Sequence, residues 1–263
     1  MQASDQPAAV SKKKPWAGIV VSALPALFLL LDGVMKLAKP KVVVDTTVQL
    51  GYPESVIFDI GIVLIVCTVI YVIPRTAVLG AILLTGYLGG AVATHVRAGD
   101  GPFPILFPVI IGALLWGGLF LRDERISKHL QSSIQTDSVS KKALWAGIII
   151  GALPTLMLLF SGVLKLAKPA DVVTEFARLG YPENIILGIG ILEIACTVVY
   201  IIPRVSVLGA ILLTGYLGGA VATHVRIGDP IFKVLGPVIF GALLWGGLYL
   251  RDQRLRALLP LRS

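Results

Sequence analysis

The chain has 263 residues, of which 56% are hydrophobic and only 14% are charged. Soluble domains average about 25% charged residues, so this composition excludes an ordinary soluble protein. The net charge of +8 at first suggests nucleic acid or acidic lipid as a partner. Because the basic residues lie at the ends of apolar stretches and in loops, they indicate membrane topology, and we expect no nucleic-acid partner.

The second half of the chain repeats the first. Trp16 aligns with Trp145, and the offset of 129 residues then holds without a gap, so that residues 78–97 recur unchanged as residues 207–226. Each repeat contains four apolar stretches of roughly the 20 residues that a helix needs to cross a lipid bilayer. The sequence therefore predicts an all-α integral membrane protein with eight transmembrane helices, arranged as two parallel four-helix bundles.

The predicted helices of the first repeat follow in chain order, and those of the second lie 129 residues further on. They are Trp16 to Leu37, Glu54 to Ile73, Thr76 to Val96 and Ile105 to Leu121. Proline and arginine at positions 74 and 75, and again at 203 and 204, separate the second helix of each repeat from the third. Proline cannot continue a helix and a charge marks the water interface, so each such pair of helices is predicted to form a hairpin.

A short amphipathic segment lies between the first two helices of each repeat. In residues 171–179 the apolar side chains recur at helical spacing and the segment ends at Gly180, which predicts a helix lying in the membrane interface. The first copy, residues 42–50 before Gly51, is richer in β-branched residues and less clearly helical.

The remaining segments define the predicted domains. These are a disordered cytoplasmic tail (1–15), the first repeat (16–122), a polar cytoplasmic linker (123–142), the second repeat (143–256) and a C-terminal tail (257–263). With the N-terminus inside, 14 Lys and Arg residues fall on the inner side against nine outside. This asymmetry predicts that both termini are cytoplasmic.

Ionisable side chains within the helices are the first candidates for function. Glu193 lies about 14 Å into the sixth helix at 1.5 Å per residue, near the bilayer midplane, and its counterpart is Leu64. A carboxyl at that depth is costly and usually faces the bundle interior. Glu193 is a candidate for handling a proton; the alternative is a neutral, buried carboxyl that is hydrogen-bonded to a neighbouring helix.

Asp32 and Lys36 are four residues apart, which places them on one face of the first helix as a pair. Their counterparts are Ser161 and Lys165. Both lysines and Asp32 are candidates for ligand binding, and snorkelling with local pairing is the structural alternative.

A polar cluster ends the third and seventh helices on the outer side. It contains His95 with Arg97 in the first repeat and His224 with Arg226 in the second. Arginine forms bidentate bonds to oxyanions, so these four residues are candidates for binding a quinone head group, a carboxylate or a lipid phosphate. The alternative is a solvated helix end. Further candidates lead towards the cluster at helical spacing: Tyr87 and Thr94, with Tyr216 and Thr223.

Other features point to structure rather than chemistry. Two small-x3-small patterns, beginning at Gly86 and Gly215, predict closely packed helices. Cys67 and Cys196 are single cysteines and are expected to be small buried hydrophobes. The sequence gives no metal site, no evident cofactor and no complete catalytic constellation, so we do not expect the isolated chain to be an enzyme.

Several segments together resemble the DoxX-like family of four-helix membrane proteins. They are residues 33–37 and 162–166, residues 50–53 and 179–182, and the block 79–97. The resemblance implies a bundle in the bacterial plasma membrane; the wider group includes a small subunit of a thiosulfate:quinone oxidoreductase and is linked to oxidative-stress complexes. The family's acid in the second helix matches Glu193 but is replaced by Leu64, which suggests at most one functional site, centred on the second repeat.

Three hypotheses follow. In the first, the chain is a membrane subunit of a quinone-linked redox assembly, with quinone as its ligand. In the second, it is a scaffold that recruits membrane or cytoplasmic proteins through its basic linker and tail. In the third, it is a carrier for a small solute or proton. In each case the lipid bilayer surrounds it.

Overall fold

The computed structural model describes residues 13–123, 140–252 and 255–256. Eight helices in these ranges are long and apolar enough to cross a membrane, which confirms the predicted fold class. The predicted tails and linker lie almost entirely outside the described residues. Helices begin at Lys13 and Lys141. The N-terminal tail, predicted to end at residue 15, and the linker, predicted to end at residue 142, therefore each end earlier than expected.

Each repeat contains the same five helices. The first has α1 (Lys13–Ala38), α2 (Lys41–Gln49), a 3-10 turn (Glu54–Val56) leading into α3 (Ile57–Val72), α4 (Ala77–Ala98) and α5 (Pro102–Arg122). The second has α6 (Lys141–Ala167), α7 (Ala170–Arg178), a 3-10 turn (Glu183–Ile185), α8 (Ile186–Ile201), α9 (Ser206–Arg226) and α10 (Ile231–Arg251). We call the end of the bundles with α2 and α7 the loop end, and the opposite end the hairpin end.

The short interfacial segment is helical in both repeats, although its first copy is rich in β-branched residues. The hydroxyls of Thr46 and Thr47 donate to the carbonyls of Val42 and Val43 at 2.8 and 2.7 Å, so they are satisfied within the helix. Gly51, with φ of +83°, then ends the turn in the left-handed region that favours glycine. The difference that the sequence suggested between the two copies is therefore absent from the backbone.

The four long helices of each repeat form a closed bundle. Around the first ring α1 contacts α3, α3 contacts α4, α4 contacts α5, and α5 returns to α1; the second ring has the same order. A buried tyrosine ties each ring together: the Tyr71 hydroxyl donates to the Leu115 carbonyl at 2.8 Å, and Tyr200 donates to Leu244 at 2.9 Å. The equivalent helices are thus held by equivalent contacts.

The two bundles pack against each other through α4 and α9. A Cβ atom added to Gly89 would lie 2.0 Å from the Gly215 carbonyl oxygen, and one added to Gly218 would lie 1.9 Å from the Gly86 oxygen. These distances leave room only for glycine, which confirms the close packing predicted from the small-x3-small patterns. The contacts are reciprocal, so the repeats are related by an approximate two-fold axis at this crossing.

This packing makes a prediction about stability. Gly218→Val is expected to lower the free energy of unfolding by about 3 kcal/mol, the upper end of the cost of overpacking, because a backbone carbonyl must move. Gly246→Val is the matched control, since nothing lies within 4 Å of a Cβ added there. Unfolding in detergent, followed by circular dichroism, measures both. Equal losses would contradict the proposed crossing.

Candidate functional site

Three helices of the second repeat converge on a buried group of polar side chains. Lys165 and Ser161 come from α6, Glu193 from the middle of α8, and Tyr216 from α9. The Lys165 ammonium lies 2.9 Å from Glu193 Oε2 and also donates to the Ser161 hydroxyl. The Tyr216 hydroxyl lies near the same carboxyl. We call these four residues the lysine–acid site.

The helix geometry explains how Lys165 reaches this depth. In a helix the Cα–Cβ bond tilts towards the N-terminus, so a lysine near the C-terminal end of α6 extends back into the bundle. Gly190 on α8 leaves the space for its stem, since a Cβ there would lie 2.8 Å from Lys165 Cβ. Gly61 does the same for Lys36 in the first repeat, at 2.9 Å.

The acid of the site is fully withdrawn from solvent. The Glu193 side chain is 2% exposed and that of Lys165 is 13% exposed. Phe176, from α7, covers the loop end of the site with its ring centroid 5.9 Å from the Lys165 ammonium, a cation–π contact. A buried charge is tolerated only when it is paired and hydrogen-bonded. The Glu193 carboxyl is thus hydrogen-bonded to a neighbouring helix, through the ammonium of Lys165 on α6.

The first repeat holds a related but more exposed pair. Asp32 forms an ion pair with Lys36 within α1, and Tyr87 interacts electrostatically with Asp32. The Asp32 side chain is 33% exposed, and the position that corresponds to Phe176 is Thr47. The predicted pairing of Asp32 and Lys36 is confirmed.

The two repeats have exchanged the helix that supplies the acid. Asp32 and Leu64 in the first repeat correspond to Ser161 and Glu193 in the second, while the lysine stays in place. Each lysine therefore keeps one carboxylate, although Leu64 has replaced the acid of the second helix. Because of this compensation, Leu64 alone does not distinguish a functional repeat from a structural one.

A membrane-spanning groove does distinguish the repeats. It has a volume of about 1430 Å³, is lined mainly by apolar side chains, and runs along α9 from Arg204 at the hairpin end to His224 at the loop end. Residues of both repeats line it, among them Trp116 and Trp245. All four residues of the lysine–acid site line the groove, together with Thr223. The corresponding residues of the first repeat, Asp32, Lys36 and Tyr87, are not part of its lining.

The predicted histidine–arginine clusters are not single sites. His95 Nδ1 lies 2.7 Å from an oxygen of Asp100, and His224 Nδ1 lies 2.7 Å from one of Asp229. The arginines instead turn towards the boundary between the repeats, where Arg97 and Arg226 each donate to a loop carbonyl at 2.6 Å. The histidine and arginine of each cluster point in different directions, because side chains two positions apart diverge around a helix: His224 lines the groove and Arg226 does not.

The second repeat has an additional charge network over its site. Arg178 on α7 donates two hydrogen bonds of 3.0 Å to the Asp229 carboxylate. These bonds, with that of His224, hold the pKa of Asp229 well below its usual range, and Arg178 also lowers the pKa of Glu175. Its counterpart in the first repeat is Gln49. Sequence reasoning did not identify Phe176 and Arg178 as site residues, although both are in the segment predicted to be amphipathic.

The cysteines and potential metal ligands add no second centre in the part of the chain that the structure describes. Cys67 and Cys196 are buried and unpaired, as expected. Within these residues, three or more His, Cys, Asp or Glu side chains nowhere form a group able to hold a metal ion.

The fold and the site define a multi-pass membrane protein built from two copies of a four-helix bundle, each with a lysine–acid pair. The chain belongs to the DoxX-like family, which matches residues 20–118 and again residues 149–247. The two matches coincide with the two repeats, so the predicted tandem duplication is confirmed. The chain matches no curated protein and no solved structure.

The exchange of acids can be tested by reversing it. Glu193→Leu leaves Lys165 buried without a counter-charge and is expected to cost about 3–5 kcal/mol of unfolding free energy. Adding Ser161→Asp rebuilds the pair of the first repeat and is expected to restore more than half of that loss. Chemical denaturation in detergent micelles measures the single and double variants.

The mirror variant is Asp32→Ser with Leu64→Glu, which gives the first repeat the arrangement of the second. It is expected to be nearly as stable as the wild type, whereas Asp32→Ser alone is not. If neither second substitution rescues the first, the carboxylates are not interchangeable and the compensation is refuted.

Proposed function

We propose that this DoxX-like protein binds an isoprenoid quinone in the groove between its repeats and acts as the membrane subunit of a quinone-linked redox assembly. Its location would be the bacterial plasma membrane, with both termini cytoplasmic. One observation carries the proposal: the lysine–acid site, whose Glu193 carboxyl is buried, lines a long apolar groove within the membrane-spanning part of the protein.

The groove fits the chemistry of such a ligand. Binding pockets are mainly apolar with a few polar groups that orient the ligand, and a quinone combines an apolar tail with two carbonyl oxygens. Lys165 can donate to one of these oxygens, while Ser161 orients its ammonium. Glu193 is positioned to hold a proton, and Tyr216 is a further donor in the same wall.

Each component has a defined task. A bound quinone supplies two-electron, two-proton redox chemistry, with electrons delivered by a partner redox subunit. This chain binds the head group, excludes water from it and holds protons at the Glu193 carboxylate. The surrounding apolar wall strengthens the hydrogen bond that Lys165 donates, because the local dielectric is low.

The other two hypotheses depend on different residues. The scaffold hypothesis rests on the linker, which lies outside the described residues. The carrier hypothesis uses the same groove and Glu193, and it differs in requiring net movement of a solute across the bilayer. Transport of a solute into liposomes that depends on Glu193 would therefore favour the carrier.

Quinone binding can be followed through the protein's own fluorescence. Trp116 and Trp245 line the groove, so decylubiquinone titrated into protein in nanodiscs should quench them saturably. Glu193→Gln is expected to weaken binding at least about tenfold, because it removes the carboxylate that holds the Lys165 ammonium in place for its charge-assisted bond to the quinone, which is worth about 1.5–3 kcal/mol.

Asp32→Asn is the matched control, because it removes a lysine-paired acid that does not line the groove. Its affinity should equal that of the wild type. Quenching that does not saturate, or equal weakening by both substitutions, would contradict the proposed site.

A further inference from the structure

Two arginines meet where the repeats join at the loop end. Arg97 and Arg226 lie in the last turns of α4 and α9. Arg97 Nη2 and Arg226 Nη1 each lie 3.5 Å from the point that a Cβ on Gly51 would occupy. The two nitrogens are therefore no farther apart than the sum of these distances. Gly180 lies over the same two arginines: a Cβ added to Gly180 would lie 3.4 Å from Arg226 Nη2.

The two guanidinium groups retain unused hydrogen-bonding capacity. Arg97 donates one bond to the Leu50 carbonyl and Arg226 one to the Leu179 carbonyl, each at 2.6 Å. A guanidinium has five N–H donors, and Arg97 Nε is buried without a hydrogen-bond partner. Most of the donors at this position are thus available to a ligand.

No carboxylate compensates these charges among the residues that the structure describes. The ion pairs among these described residues involve four lysines, two histidines and Arg178, and they include neither Arg97 nor Arg226. The nearby phenols already have hydrogen-bond partners: Tyr52 is hydrogen-bonded to Thr94 at 2.8 Å and Tyr181 to Thr223 at 2.9 Å. Two like charges close together repel each other, so an anion between them would be strongly favoured.

The backbone favours this position as well. Gly51 and Gly180 have φ of +83° and +74°, and the absence of a side chain lets the guanidinium groups lie directly beneath the loops. The arginines are related by the approximate two-fold axis between the repeats, so one ligand on the axis can contact both. The planar fork of arginine matches the oxygens of a phosphate group.

We propose that Arg97 and Arg226 form one binding site for a phosphate-class oxyanion on the axis between the two repeats. The site is separate from the quinone groove, whose lining includes neither arginine. Since each repeat supplies one arginine, the bound anion bridges the two bundles and stabilises their association. The phosphate comes either from a lipid head group or from free inorganic phosphate.

The test is thermal unfolding of the full chain, purified in phosphate-free detergent. One arm adds inorganic phosphate against sodium chloride at equal ionic strength; the other adds phosphatidylglycerol against a glycolipid without phosphate at equal mole fraction. The wild type should be stabilised in at least one arm. Arg226→Gln should weaken the apparent affinity at least about tenfold, because a charge-assisted bond is lost. Arg75→Gln, at an exposed arginine of the hairpin end, should leave it unchanged.

The outcomes separate the sources of the anion. Stabilisation by phosphate supports a free anion, and stabilisation by phosphatidylglycerol alone supports a lipid head group. Stabilisation in neither arm, or equal weakening by Arg226→Gln and Arg75→Gln, overturns the proposal. If Arg226→Gln does not fold, Arg226→Lys keeps the charge but loses the fork; unchanged affinity in that variant also overturns it.

Discussion

A lysine that extends into an apolar bundle needs an acid beside it, and this requirement explains the polar interior of both repeats. Lys36 and Lys165 occupy equivalent positions, each beside a glycine that makes room for its stem. The acids occupy different positions, Asp32 on α1 and Glu193 on α8. Each repeat thus keeps a lysine–acid pair, although the acid comes from a different helix. An unpaired buried lysine would destabilise the whole fold, so an acid is needed beside it at either position.

Differences around this shared pair separate the roles of the two repeats. The pair of the second repeat is almost completely buried, covered by Phe176 and open to the groove along α9. Arg178 ties its interfacial helix to the loop that contains Asp229, a contact with no equivalent at Gln49. The charge pair of the first repeat is more exposed, and neither of its residues lines the groove. After the duplication, the first repeat thus keeps the four-helix architecture and the second repeat forms the candidate site.

The sequence predicted what depends on local pattern and could not predict what depends on packing. Apolar length and the 129-residue offset were sufficient for eight helices and two repeats, and the small-x3-small spacing for closely packed helices. That the close contact joins α4 of one repeat to α9 of the other was not predicted. Glu193 was identified as a buried acid, but its partner Lys165 lies on another helix, which spacing alone does not reveal. For the same reason the compensation of Leu64 by Asp32, and the meeting of Arg97 with Arg226, appear only once the bundles are assembled.

Photoaffinity labelling tests the central claim most directly. An azido-quinone is photolysed with the protein in nanodiscs, and the labelled peptides are mapped by mass spectrometry with and without excess decylubiquinone. The account predicts competed labelling on α8 and α9, around Glu193 and Tyr216, and little around Asp32 and Leu64, which do not line the groove. Labelling around Leu64 equal to that around Glu193, or labelling unaffected by the competitor, would contradict it.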